Sequence, residues 1–236
     1  MDLVSGRNVV KEALRSGTKI NRVYIQDGRL QGQILEIMDE IYEKSIPVDK
    51  VTREELDGMV AGLHQGIVAE ISSFKTYDLT EVLQAGANKI VVLDEIEDPH
   101  NVGAIIRTAE AAGFDAVVIQ NRRSSGITNT VHRSSAGASF HINIVEVINI
   151  TRAINEMKDY NIWVYGADGQ ANSLYSQVDL KGGVALVIGS EGKGITRLVK
   201  ENCDALLKIP MYGKVESLNA SNAASILIYE VVRQNG

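Results

Sequence analysis

Apolar positions follow two different rhythms along this chain. Over residues 1–72, helical and strand patterns alternate in short units. Val9, Val10, Ala13 and Leu14 recur at helical spacing, and RVYIQ (22–26) reads as a strand. A helix near 31–44, a strand near 46–51, a short helix near 53–60 and a strand over GIVAEI (66–71) complete a compact α/β module. Residues 73–88 carry mixed polarity and a weak helix, and the linker is placed there. From Lys89 onward the strands become short continuous apolar runs: IVVL (90–93), AVVI (116–119), IWVY (162–165), VALVI (184–188) and ALLKI (205–209). Such runs suit a parallel sheet covered on both faces, with helices expected near 101–112, 128–138, 150–160 and 194–202. The fold class is therefore α/β, with a parallel-sheet domain at 89–236 behind a small domain at 1–72. After each of the five runs the chain turns polar or glycine-rich. In open α/β sheets the ligand lies at the carboxyl ends of the strands, so the chemistry belongs in these loops.

Composition narrows the classes. No apolar run approaches the ~18 residues of a membrane span, and the N-terminus lacks a basic-then-apolar leader pattern, so a cytoplasmic protein is expected. The single cysteine, Cys203, permits no internal disulfide and is expected on a buried helix. With a net charge of −6, any nucleic acid must be gripped locally. Positive charge gathers at one end: the first 30 residues hold Arg7, Lys11, Arg15, Lys19, Arg22 and Arg29, a grouping that also suits a solvated helix face. The four histidines never reach the i, i+4 spacing of a helical zinc pair, which argues against a metal site. GSEGKGIT (189–196) lacks the first glycine and the K-[ST] ending of a phosphate-binding loop, and it lacks the third glycine of a dinucleotide fingerprint.

What remains is a site of backbone, amides, hydroxyls, one arginine and one glutamate. In DPHNVGAIIRTAEAAG (98–113), Val102, Ile105, Ile106 and Ala109 form an apolar stripe, with His100, Gly103, Arg107 and Glu110 on the opposite, polar side. Asn101 can cap this helix and Gly113 can close it, and Arg107 reads equally well as a solvated helix residue. Glu191 can stabilise the N-terminus of the helix that follows it. Ser217, Asn219 or Ser221 can cap the apolar run ILIYEVV (226–232).

Three segments, DPHNVGAIIRTAEAAGF (98–114), VIGSEGKGI (187–195) and IPMYGKVESLNASNAA (209–224), resemble the three motifs of the SpoU/TrmH family of RNA 2′-O-ribose methyltransferases, in order and near the family's separations. The likeness extends over 89–236. Residues 5–72, with SGRNVVKEAL (5–14) and HQGIVAE (64–70), are similar to the ribosomal-protein-like RNA-binding domain that precedes the catalytic domain in the 23S rRNA guanosine methyltransferase subgroup. The resemblance implies a deep trefoil knot, S-adenosylmethionine as methyl donor, no metal, and a homodimer. It implies catalytic positions at Asn101, Arg107, Glu191, Ser217 and Asn219. The cofactor would be held by Gly166, Ala167, Gly189, Ser190, Glu191, Gly192, Ile209, Met211, Ser217, Leu218 and Asn219. Tyr212, Glu216 and Asn222 depart from the family's usual smaller or apolar residues. RNA phosphates are assigned to Arg7, Lys11, Arg122, Arg123, His132 and Arg133, because a guanidinium fork pairs with phosphate oxygens without reading sequence. Transfer RNA and antibiotic-resistance-type enzymes remain alternatives, as does a non-catalytic RNA-binding or ribosome-assembly protein. The final helix, expected over about 218–233, is apolar around most of its circumference, more than one sheet should cover, which agrees with a dimer.

Overall fold

The computed structural model describes residues 1–121 and 127–236. The N-terminal module comprises β1 (Asp2–Ser5), α1 (Arg7–Arg15), β2 (Ile20–Gln26), α2 (Gln33–Glu43), β3 (Val48–Val51), α3 (Arg53–Met59) and β4 (Ile67–Ile71). Its sheet runs β1-β4-β2-β3, with β4 antiparallel to β1 and β2, and β2 parallel to β3. The expected elements are present. β1 was not anticipated, because DLVS offers only two apolar residues beside a terminus. Val9, Val10, Ala13 and Leu14 of α1 face the core with Ile34, Ile37, Met38 and Ile41 of α2, the stripe that the helical spacing demands.

The second unit comprises α4 (Leu79–Gln84), β5 (Lys89–Asp94), α5 (Pro99–Ala111), β6 (Ala116–Gln120), α6 (Asn129–Ser134), β7 (Asn143–Val147), α7 (Ile150–Asp159), β8 (Trp163–Ala167), β9 (Ser173–Leu174), β10 (Val184–Gly189), α8 (Arg197–Asn202), β11 (Ala205–Lys208) and α9 (Ala220–Asn235). Within the 73–88 stretch, α4 buries Leu79, Val82 and Leu83 against β7 and α7. The sheet order is β7-β6-β5-β10-β8-β11-β9, parallel throughout its paired strands. It has seven strands where five apolar runs were read. β7 and β9 sit at the two edges, where one exposed flank relaxes the need for a continuous apolar run, and NIVEV and SL show none. The expected helix over 128–138 is a six-residue α6 followed by a 3-10 turn at Ala138–Phe140.

The chain leaves β5 for β6 and β7 on one side, and later inserts β10 between β5 and β8. The strand order therefore reverses at the β5/β10 boundary, the position where open α/β sheets bind ligands. One sheet face is covered by α5 and α9, whose Ile105, Ile106, Leu227, Ile228 and Val231 are fully buried. The other is covered by α4, α7 and α8. The last helix is thus less exposed than its sequence suggested. Its apolar face packs on α5 and β10, and Glu230, buried and paired with Arg233 and Gln234, supplies a polar stripe.

The two units meet along α6. The Ser5 amide donates to Asn129 Oδ1 (2.9 Å), and Asn129 Nδ2 returns a bond to Ser5 Oγ (3.0 Å). Glu12 pairs with His141 (2.9 Å), and Phe140 packs on the N-terminal core. His132, expected at RNA phosphates, is instead 2 % exposed in this junction. It stacks on Phe140 (4.7 Å), meets Phe74 edge-on (4.8 Å) and shares a hydrogen bond with Ser139 Oγ (2.8 Å). Burial lowers its pKa to about 4, so the imidazole is neutral and cannot serve a phosphate.

Candidate active site

Parallel register brings three distant loops to one edge. Gly189, the last residue of β10, lies opposite Asp94 of β5, while Gly166 of β8 lies beside Val187 of β10 and Leu206 of β11. The loop after β10 folds back over its own strand through a pair of Ser190–Gly194 backbone bonds (2.9 and 3.2 Å). A Cβ on Gly189 would stand 2.1 Å from the Gly194 carbonyl carbon and 2.3 Å from the Ile195 nitrogen, so only glycine admits this fold-back. Asp94, 3 % exposed, then fastens the far end of the loop by accepting the Thr196 amide (2.6 Å). No sequence motif drew attention to Asp94. The available signal was an acid closing an otherwise apolar strand.

α5 starts at the neighbouring strand end. Its N-cap is Asp98, which accepts the His100 amide (2.9 Å) with Pro99 in the first turn, so Asn101 is not the cap that its sequence position allowed. Gly113 closes the helix as expected, at φ 70°. Gly103 leaves the polar side to which its spacing assigned it and is buried against α6, where a Cβ would fall 1.9 Å from Ser134 Oγ. Ser134 Oγ in turn donates to the Pro99 carbonyl (2.8 Å), so α6 fixes the start of α5.

Freed from capping, the Asn101 side chain joins a closed triangle. Its Nδ2 donates to Glu191 Oε1 (2.9 Å), and its Oδ1 accepts from Asn219 Nδ2 (2.9 Å), which also donates to Glu191 Oε1. Asn219 is the N-cap of α9: its Oδ1 accepts the Ser221 amide (2.9 Å) and the Ser221 hydroxyl (2.6 Å). That cap determines which end of the amide faces the site, because with Oδ1 committed to α9 the NH2 must point at Glu191 and Asn101. Of the three candidate caps, Asn219 takes the role. Glu191 does not stabilise the next helix, which begins six residues later at Arg197. It collects donors from two other motifs instead. A cleft of about 310 Å³ opens on this triangle, lined by Glu95, Asp98, Ser190 and Lys193 among others.

The structure does not bring every expected residue to the triangle. Arg107 is exposed on α5, about 9 Å further along the helix axis than Asn101 and on another side. Ser217 is exposed on the loop before the Asn219 cap. Gly166 and Ala167 end β8 beside β11, Ile209 and Met211 follow β11, and Leu218 lies on the loop before α9. Ile209, Met211 and Leu218 are half-buried there, giving apolar walls beside backbone donors and acceptors. Gly192 is at the exposed tip of the 190–194 turn. Arg7 lines a broad groove of about 1200 Å³ in the N-terminal unit, with Arg29 and Arg53. Lys11 is held by Glu36 across α1 and α2 (3.3 Å). Arg133 donates to the Ala61 carbonyl (3.3 Å), bridging the two units at the groove's lip. Arg122 and Arg123 lie outside the described residues. Cys203 ends α8 half-buried, its thiol pushed up to about 12 by burial, which removes it as a nucleophile. Among the described residues no group of three or more His, Cys, Asp or Glu could hold a metal ion, and no helix is long and apolar enough to cross a membrane.

Known proteins resemble this chain in sequence and in fold. Residues 88–229 match the model of the SpoU rRNA Methylase family, and residues 3–77 match that of RNA 2′-O ribose methyltransferase substrate binding. YacO of Bacillus subtilis, named as a TrmH family tRNA/rRNA methyltransferase, is 44% identical over 238 residues, covering 99% of this chain and 96% of its own. The AdoMet-bound rRNA methyltransferase from Sinorhizobium meliloti superposes with a TM-score of 0.79 at 22% identity, over 98% of this chain and 87% of its own. The TrmH/SpoU tRNA modifying enzyme of A. aeolicus aligns over 66% of this chain and 81% of its own, with a TM-score of 0.57 and 27% identity.

Proposed function

The chain belongs to the SpoU rRNA methylase family of RNA methyltransferases, and from that premise we propose that it moves a methyl group from S-adenosylmethionine to the ribose 2′-hydroxyl of a guanosine in large-subunit (23S) ribosomal RNA. The observation that carries this reading is the Asn101–Glu191–Asn219 triangle, in which side chains from three distant motifs converge at the strand-order reversal. A ribosomal substrate is favoured by coverage. The solved rRNA enzyme aligns along nearly the whole chain, whereas the solved tRNA enzyme leaves about a third of it unmatched. In this reading residues 1–72 are a ribosomal-protein-like RNA-binding domain, 73–88 the linker and 89–236 the catalytic domain, with a trefoil knot drawn where the chain after β11 returns to place α9 on α5 and β10. The protein works in the cytoplasm as a homodimer through the α9 region, where Tyr229 is 51 % exposed beside half-buried Ile226 and Val232.

The residues at the ends of β8, β10 and β11 fit an adenosine-bearing cofactor: Ile209, Met211 and Leu218 offer aliphatic cover, and Gly166, Gly189 and Ser190 offer backbone polar groups. Bound there, S-adenosylmethionine supplies a methyl already carried on a good leaving group. The protein is then left with alignment and with the hydroxyl proton. The triangle is preorganised for alignment, because each of its amides is oriented by a partner outside the reacting atoms. Arg107 offers five N–H donors and no acceptor, so it serves as a cation and not as the base. From its exposed place on α5 it holds the RNA phosphate next to the reacting ribose and offsets charge developing on the 2′-oxygen. Arg7 in the N-terminal groove, Arg133 at its lip, and Arg122 and Arg123 contact more distant phosphates.

Two measurements test this. Saturating S-adenosylmethionine, at about 100 times its Kd, should raise the unfolding free energy by about 2.7 kcal/mol. Arg107→Ala should keep that stabilisation and lose about a hundredfold or more in methyl transfer to 23S rRNA from cells lacking the gene. A flat melt favours a non-catalytic RNA-binding protein. Transfer within about threefold of the unsubstituted protein, under ~0.7 kcal/mol, returns Arg107 to a solvated helix arginine.

A further inference from the structure

A second cavity adjoins the cleft. It holds about 130 Å³ at the carboxyl ends of β5 and β6, floored by Leu93, Val102 and Val131 and walled by Ile96, Ile119 and Ile127. It shares Glu95, Ile96 and Glu97 with the cleft beside the triangle, so those three residues form a common rim between an apolar chamber and a polar one. Glu95 is held on this rim at φ 57°, a left-handed conformation that non-glycine residues adopt at some cost and that concentrates where side chains must be aimed.

We propose that this chamber receives the base of the nucleotide being methylated. The proposal rests on the methyltransferase reading and extends it to the seat of that nucleotide's base. The reacting oxygen is on ribose C2′ and the base is on the adjacent C1′, so a 2′-hydroxyl presented to the Asn101 side of the cleft keeps its base close to the rim that the cleft shares with the chamber. Enzymes that act on a single nucleotide turn it out of its stack into a close-fitting pocket that sandwiches the ring between apolar side chains and reads its edge by hydrogen bonds. The isoleucine and valine walls meet the first requirement.

The test fills the chamber with Ile119→Trp and, separately, Ile127→Trp, both at half-buried positions. For each, S-adenosylmethionine affinity, melting temperature and methyl transfer to 23S rRNA from cells lacking the gene are measured. The expected result is at least a tenfold fall in kcat/KM for RNA, with cofactor Kd within twofold and unchanged melting. Transfer within threefold in both folded variants overturns the proposal, and so does a loss of cofactor affinity, which would make the chamber part of the cofactor site. A readout without turnover separates this from the methyltransferase reading. The isoleucine methyl resonances of Ile119 and Ile127 should shift with millimolar guanosine monophosphate and stay fixed with ribose 5-phosphate. If they shift while the wild-type protein methylates no RNA, the base site stands and the methyltransferase reading falls. If guanosine monophosphate moves neither methyl, the base site falls.

Discussion

Two polar regions flank the start of α5, and they are built by opposite rules. In the Asn101–Glu191–Asn219 triangle the groups stay partly open to solvent, and their positions come from backbone: a capped α9, a glycine-dependent fold-back and a loop end fastened by Asp94. At the junction around α6, Ser5, His132, Ser135 and Ser139 are almost fully buried, with His132 and Ser135 bonded to Ser139 and Ser5 bonded to Asn129. Among the described residues no buried side-chain polar atom lacks a partner. Open groups can be exchanged for water at little cost, whereas buried ones lose a partner they cannot replace. The triangle should therefore govern chemistry with little hold on stability, and the junction the reverse. α6 links the two, since it packs on Gly103 of α5 and bonds Asn129 to Ser5.

The scaffold beneath the triangle gives the largest effect. Gly189→Ala puts a methyl against the backbone of Gly194 and Ile195, and backbone cannot move as a flexible side chain can. Overpacking of this kind costs about 3 kcal/mol or more, and it displaces the loop carrying Glu191. Denaturant unfolding should show the loss of stability, together with loss of methyl transfer. An alanine variant as stable as the wild-type protein would mean that the loop does not need its fold-back.

The junction should show itself through pH. Because burial holds His132 near pKa 4 in the folded chain against about 6.5 unfolded, the unfolded chain binds one more proton between those values. The stability this residue contributes is fully present above about pH 6.5 and is lost as pH falls toward 4, amounting to roughly 3 kcal/mol across the window. His132→Phe, which keeps an aromatic ring for Phe74 and Phe140, should flatten that part of the stability profile. An unchanged slope between pH 6.5 and 4 would assign the acid sensitivity to other groups.

The legible parts of this molecule are those where one local rule decides. Continuous apolar runs identified the five inner strands, and helical spacing identified the buried faces of α1 and α5. The edge strands β7 and β9 were missed because an edge makes weaker demands on sequence. Gly103 and His132 were misplaced for a shared reason: a polar or small residue on a helix reads as solvent-facing until a second helix or a neighbouring domain is known to lie against it. Asn219 was legible as one of three caps. That its cap also orients an amide of the triangle depends on Asn101 and Glu191, 118 and 28 residues away, and spacing along the chain carries no trace of such a contact. The motif resemblance named the members of the triangle but not its geometry, nor that Arg107 stands apart from it further along α5.

The smallest stability effect, and the sharpest contrast with the junction, is expected from Glu191. Its carboxylate accepts from both amides yet is exposed, so in Glu191→Ala water can take over the Asn101 and Asn219 donors. Unfolding free energy should change by no more than about 0.5 kcal/mol, as for ordinary surface substitutions. Methyl transfer should nevertheless fall by about a hundredfold, because amides no longer tied to a common acceptor lose their preorganised orientation at the reacting ribose. Asn219→Ala separates the two contributions within one residue. It removes the same side of the triangle and also the α9 cap, so it should cost about 1 kcal/mol of stability in addition to the activity. Equal stability losses in the two variants would show Glu191 to be a structural member of the loop. A Glu191 variant that keeps both stability and methyl transfer would remove the triangle from the chemistry.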